Sequence, residues 1–229
     1  MSLDFIVLDD ARAAAQHAGE LLAEAARDGG HIALSGGKSP ELAHETAARL
    51  QPDWSGVEVW WGDERCVPPG DERSNFAMAE RTLLDRVEVP PRAVHRIRGE
   101  LDPEAAAAEY DEALRGVRLR LNVLGIGPDG HAASLFPSAP GLHETERRAI
   151  AAEAGLEPFV PRVTMTLPAL ANADCVLFLV TDDGKADAAK RAFEDAPSDE
   201  TPASLIRSHD GRTLVILDRA AASKLTRTI

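Results

Sequence analysis

The sequence predicts an α/β fold in which a mostly parallel sheet carries helices on both faces. Three observations lead there. Short runs rich in Val, Ile and Leu recur along the chain, each closed by Gly, Asp or Thr. Amphipathic stretches with capping residues separate them, and the two kinds alternate. Alternation implies crossover connections, and therefore parallel strands covered on both faces.

The elements follow in chain order. DDARAAAQHAGELLAEAARDGG sets Ala11, Ala14, Ala15, Ala18, Leu21, Leu22 and Ala25 along one helix face and stops at Gly29. HIALS (31–35) is a strand, after which Ser39–Pro40 opens the helical ELAHETAARL with proline at the first helical position. VEVWW (57–61) is the next strand. Ser74 caps NFAMAERTLLDRV, and Asp102–Pro103 opens EAAAAEYDEALRG. LRLNVLGI (119–126) is a strand, Thr166 a helix cap within VPRVTMTLPAL, and DCVLFLV (174–180) a further strand. DDGKADAAKRAFED is amphipathic, and TLVILD (213–218) ends the series. With 229 residues and 44% hydrophobic content, one sizeable core is expected, in a single domain over residues 1–229.

Composition excludes several functions. A net charge of −13 disfavours nucleic acid as a partner. No apolar stretch reaches the roughly 20 residues of a membrane helix, and the N-terminal stretch lacks the basic region of a signal peptide. Cys66 and Cys175 are too few for a disulfide framework. No C-x-x-C, H-E-x-x-H or G-x-S-x-G occurs, so neither a metal nor a serine acyl-enzyme is expected. A cytoplasmic enzyme without membrane contact fits. In so acidic a chain, basic groups gathered near glycine loops mark a local anionic site.

Parallel sheets bind ligands beyond the carboxyl ends of their strands, which selects the loops to read. In ALSGGKSPEL, Ser35, Gly36 and Gly37 end a strand and Lys38 and Ser39 enter a helix. Glycines there admit a ligand close to backbone N–H groups, and a helix N-terminus favours an anion. A tight turn that binds nothing is the alternative. In WWGDERCVPP, Arg65 can fork onto a phosphate, with Asp63 and Glu64 holding Arg65 or polar ligand groups. A solvated salt-bridge cluster is the other reading.

The third loop, LGIGPDGHAASLFP, spells G-x-G-x-x-G after a strand. Pro128 and Asp129 would bring rigidity and negative charge to a pyrophosphate, and Pro137, Pro140 and Gly141 leave no room for a crossover helix. No dinucleotide cofactor is expected. What remains is a glycine turn presenting Asp129 and His131, and imidazole suits proton transfer near neutrality. His17, His44, His95, His143 and His209 are read as structural or exposed, and Ser134 as a small helix residue. Lys185, where the 174–180 strand gives way to a helix, and Arg162 join Arg65 and Lys38 in an anion cradle.

SGGKSP, WWGDERCVPPGDERSN, LNVLGIGPDGHAASLFP, PRVTMTLPAL, DGKA and the closing PASLI…TLVILDRAAASKL resemble, in that order, the motifs of the 6-phosphogluconolactonase family, over about residues 30 to 225. The resemblance implies a Rossmann-like open sheet of the sugar-phosphate isomerase/deaminase type. It implies hydrolysis of 6-phospho-D-glucono-1,5-lactone to 6-phosphogluconate, the second step of the oxidative pentose phosphate pathway. No cofactor is implied, and a monomer or weak homo-oligomer is expected. The catalytic role falls on His131 as general base, with Asp129 beside it. Phosphate and sugar contacts fall on Ser35, Gly36, Gly37, Lys38, Ser39, Arg65, Arg162 and Lys185. Two departures stand out: the family usually reads S-G-G-S-T-P where this chain has Lys38 and Ser39, and TDDGKA lacks the glycine often found after the strand threonine. Amino-sugar phosphate deaminases resemble the chain at the G-x-D-G-H turn, but carry an aromatic in place of Arg65 and lack S-L-F-P. A non-catalytic sugar-phosphate sensor is disfavoured by the intact His131.

Overall fold

The computed structural model describes residues 3–226. Strand β1 (Leu3–Leu8) leads through helix α1 (Ala11–Asp28) to β2 (Gly30–Leu34), and α2 (Lys38–Leu50) connects β2 to β3 (Val57–Trp61). A short strand β4 (Asp63–Arg65) precedes α3 (Asn75–Thr82) and α4 (Pro103–Ala113). Then come β5 (Leu119–Leu124), β6 (Ala149–Ala152), β7 (Arg162–Met165), α5 (Leu167–Ala171), β8 (Ala173–Val180), α6 (Ala186–Phe193) and β9 (Arg212–Asp218). Among these residues no helix is long and apolar enough to cross a membrane.

Local chemistry sets most of the boundaries. Asp10 accepts the Ala13 N–H at 2.8 Å to start α1, and Gly29, at φ 75°, ends it. Ser74 accepts the Ala77 N–H at 3.1 Å to cap α3. Asp102 accepts from Glu104 and Ala105, with Pro103 at the first helical position of α4. Helix α2 departs from expectation. Gly37, at φ 111°, turns the chain early, so the helix begins at Lys38 and Pro40 is its third residue. Proline is tolerated there because first-turn N–H groups have no helical partner to lose. Thr166 precedes α5 but does not cap it, because its hydroxyl donates to the Arg147 carbonyl at 2.8 Å.

Six strands pair in parallel, in the order β1-β9-β8-β5-β2-β3. Their apolar runs are buried in the core, where Leu34, Trp61, Leu124 and Phe178 are fully enclosed. The path β1 to β2 to β3 advances toward one edge, and the path β5 to β8 to β9 advances toward the other. Right-handed crossovers therefore put α1 and α2 on one face and α6 on the opposite face. The two directions part between β2 and β5. That is the switch point at which a crevice opens beyond the carboxyl ends.

A second, antiparallel sheet has the order β4-β7-β6. Residues 63–65, read from sequence as a strand-end loop, form its first strand, and residues 162–165, read as the approach to a helix, form its centre. This sheet faces the switch point and contributes its own side chains to the crevice.

Candidate active site

A cleft of about 370 Å³ lies at the switch point, and every residue that the resemblance assigns to the site lines it except Asp129. Asp129 instead holds His131. After β5 the chain folds into a tight loop: the Gly127 N–H donates to the His131 carbonyl at 2.9 Å and the Gly130 N–H to the Gly127 carbonyl at 3.0 Å. Gly130 takes φ 98°, which brings residues 129 and 131 to the same side. The Asp129 carboxylate lies 2.6 Å from His131 Nδ1 and accepts the His131 N–H at 3.1 Å. Partial burial pushes the Asp129 carboxyl up, but the His131 side chain, its charge and its N–H outweigh burial and bring the pKa below the usual range. An ionised carboxylate only accepts, so Nδ1 carries the proton and Nε2 of the neutral ring is bare. The ring tilts against Phe136 at 4.8 Å and remains half-buried at the cleft wall.

No helix follows this loop, as the prolines imply. The expectation of Ser134 as a helix residue is thereby corrected. Ser134 is buried in a turn; its hydroxyl donates to Asp63 Oδ2 at 2.6 Å and its backbone N–H donates to Thr164 Oγ1 at 3.2 Å. It ties the histidine loop to the second sheet.

The antiparallel register sets Arg65 directly opposite Arg162. Like charges facing each other across a strand pair are destabilising unless something negative lies between them. Among the described residues neither makes an ion pair. Arg65 donates to the Arg73 carbonyl at 2.6 Å and leaves its buried Nε unpartnered. Arg162 is buried and donates to the carbonyls of Pro158 at 2.8 Å, Val160 at 3.1 Å and Leu156 at 3.4 Å. Burial lowers its pKa and Arg65 lowers it further, with Asp63 and Glu64 opposing.

The salt-bridge reading of the D-E-R stretch is therefore corrected, as is the expectation that Asp63 and Glu64 hold the Arg65 side chain. Both carboxylates are spent elsewhere. Glu64 accepts the Ser74 hydroxyl and the N–H groups of Arg65, Asn75 and Phe76, all within 2.9 Å. Burial pushes the Glu64 carboxyl up while these four bonds pull it down, and burial prevails. The favourable charge at the N-terminus of α3 is the physical reason for its location. Asp63 accepts from Ser134 and, at 3.1 Å, from Asn75 Nδ2.

The glycine loop closes the cleft from the β2 side. Gly36 has no room for a side chain, since a β-carbon would lie 1.9 Å from Asn75 Oδ1. Ser39 Oγ meets Thr181 Oγ1 at 2.6 Å, binding this loop to the end of β8. Lys38 is exposed at the start of α2. The side chain of Lys185, in the turn before α6, makes no hydrogen bond or ion pair among the described residues; burial lowers its pKa, while Asp182 and Asp218 raise it. Ser35 Oγ, Arg65 Nε and Asn75 Oδ1 are buried without partners, and all three residues line the cleft. Orphaned groups of this kind are costly in an empty site and favourable once a polar ligand meets them.

Sequence reading overlooked Asn75, Ser134 and Asp182 as lining residues. The available signal was adjacency: Asn75 follows the capping Ser74 within the charged stretch, and Ser134 lies three residues after His131.

The family model described as glucosamine-6-phosphate isomerases/6-phosphogluconolactonase matches residues 9–215. A 6-phosphogluconolactonase of Streptomyces coelicolor is 37% identical, over 90% of this chain and 86% of that protein. One from Homo sapiens is also 37% identical, over 85% of this chain and 80% of its own. The crystal structure of a 6-phosphogluconolactonase from Thermotoga maritima superposes with a TM-score of 0.85 at 27% identity, over 95% of this chain and all of that one, 100%. A match that spans β2 through β8 and into β9 takes in every loop of the cleft, and on it the chain belongs to the glucosamine-6-phosphate isomerase/6-phosphogluconolactonase family.

Proposed function

We propose that this chain, as a single domain, hydrolyses 6-phospho-D-glucono-1,5-lactone to 6-phosphogluconate. The observation that carries the reading is an Asp129–His131 pair sharing one cleft with two facing, unpaired arginines. The pair supplies a base and the arginines supply an anion site, as a phosphorylated ester requires. The names of the 37% identical relatives point the same way.

The bare Nε2 of His131 takes a proton from water as the water oxygen bonds to the lactone C1. The C1 carbonyl oxygen becomes an oxyanion, stabilised by N–H groups of the glycine loops. Collapse breaks the bond from C1 to the ring oxygen, which takes the proton back from His131 and leaves as a hydroxyl. The new carboxylic acid ionises. Asp129 keeps the ring oriented and compensates the imidazolium while it exists. Arg65, Arg162, Lys185 and the 35–39 loop bind the phosphate, and that remote contact positions C1. Neither a metal nor a nucleotide is required. The enzyme works in the cytoplasm as a monomer or weak homo-oligomer.

The test follows the disappearance of freshly made lactone, with the spontaneous opening rate subtracted. A rate that rises in proportion to protein supports the assignment. No acceleration over buffer, together with release of ammonia from glucosamine 6-phosphate, would transfer the chain to the deaminase side of its family.

A further inference from the structure

Asp182, in the turn after β8, has φ 83° and ψ 145°. That backbone region favours glycine and rarely holds a residue with a side chain. The turn is held by its neighbours: Asp218, at the end of β9, accepts the Asp182 N–H at 3.1 Å, and the Asp182 carbonyl accepts the Lys185 N–H at 3.2 Å. This unfavourable conformation brings a carboxylate to the cleft wall. The carboxylate is exposed, accepts no hydrogen bond and makes no ion pair among the described residues. It faces a cleft whose lining includes the basic Lys38, Arg65, Arg162 and Lys185 and the acidic Glu157 and Asp63, the latter accepting from Ser134 and Asn75, and its field helps keep Lys185 charged against burial.

An unneutralised negative charge in an anion site weakens every anionic ligand, and weakens most the ligand with the larger charge. Lactone hydrolysis makes such a ligand, because the C1 carbonyl becomes a carboxylate and the product carries one more negative charge than the substrate. We infer that Asp182 is a specificity-determining residue that disfavours the carboxylate product relative to the lactone and so speeds the emptying of the cleft. This inference rests on the lactonase reading above.

Calorimetry on the full chain tests it with two ligands of the same carbon skeleton. One is 6-phosphogluconate; the other is glucitol 6-phosphate, with a neutral hydroxymethyl in place of the carboxylate. Asp182→Asn keeps the shape and removes the charge. It should tighten 6-phosphogluconate about 3- to 10-fold more than glucitol 6-phosphate, the size of one partly screened charge pair. Asp182→Gly suits the backbone conformation and should show the same preference, so a folded variant is available either way. Equal changes for both ligands in both variants would overturn the inference and leave the lactonase reading intact. Failure of both ligands to bind the wild-type protein would overturn that reading, and the inference with it.

Discussion

Gly127 forms the floor beneath the His131 ring. A β-carbon on Gly127 would lie 2.1 Å from both Nδ1 and Cε1 of His131 and 2.6 Å from Asp129 Oδ1. The glycine spacing that imitates a dinucleotide turn thus makes room for a histidine–carboxylate pair. Gly127→Ala should displace that pair, because the obstructing atoms belong to a ring held by its own loop. A shift of about 1 Å is enough to lower turnover by roughly 10²-fold. Affinity for 6-phosphogluconate should change little, since the proposed phosphate contacts come from the 35–39 loop, Arg65, Arg162 and Lys185 and not from this turn. Normal turnover in a folded Gly127→Ala protein would show that the ring position does not govern the reaction.

His131→Ala should lower the lactonase rate by about 10²–10⁴, the usual contribution of a positioned proton-transfer group. Thermal stability should hold, because the ring is only half-buried and its hydrogen-bond and ring partners, Asp129 and Phe136, belong to its own loop. A general-base imidazole works only with its acceptor nitrogen free, so the wild-type rate should show an acid limb. Asp129 remains ionised below the usual carboxylate range, so it does not produce that limb. Rate–pH profiles of both proteins decide the matter: a limb that persists in His131→Ala belongs to another group.

The two arginines should separate in their effects. Arg65→Ala removes a side chain whose one hydrogen bond goes to the Arg73 carbonyl, and relieves the repulsion with Arg162. It should weaken 6-phosphogluconate about 10- to 100-fold, the worth of a charge-assisted contact, with the melting temperature unchanged or slightly raised. Arg162→Ala should weaken binding similarly and also lower the melting temperature. It strips the carbonyls of Leu156, Pro158 and Val160 of their common donor. Equal stability losses in the two variants would mean that Arg65 also has a structural role.

Long parallel strands were legible in the sequence, and short antiparallel ones were not. Strands β2, β3, β5, β8 and β9 are apolar runs of five to eight residues buried in the core, and local composition marks such runs. Strand β1 lies at the sheet edge with most residues only half-buried, which blurs its pattern. Strands β4, β6 and β7 have three or four residues, too few for a period to show. The identities of Arg65 and Arg162 were visible, but their direct opposition depends on a register between distant segments. The contact between Asp129 and His131 was equally hidden, since it exists only because Gly130 turns the backbone to positive φ. Glu64 misled for a related reason: a carboxylate beside an arginine suggests a pair, whereas helix α3, not visible as its neighbour, is what it serves.

One histidine away from the cleft should govern stability in mild acid. His44 is fully buried on α2, against Thr82 of α3. The Thr82 hydroxyl donates to the Met78 carbonyl at 2.8 Å, so the 3.4 Å contact runs from His44 Nδ1–H to Thr82 Oγ1. Nε2 is buried with no partner, and a second proton would enter apolar surroundings there. Burial pulls the His44 pKa down to about 4 from the ordinary 6.5. Between those two values the unfolded chain binds the proton and the folded chain does not. Stability is therefore complete above the upper value and falls as pH drops through the window, by roughly 3 kcal/mol at its lower end for this one group. His44→Leu removes the titration while filling a similar volume. Urea unfolding at neutral pH and near the bottom of the window should show the wild type losing about 2–3 kcal/mol more than the variant. Carboxylates titrate alike in both proteins, so the difference isolates the histidine. Equal losses would mean that His44 already accepts its proton in the folded state.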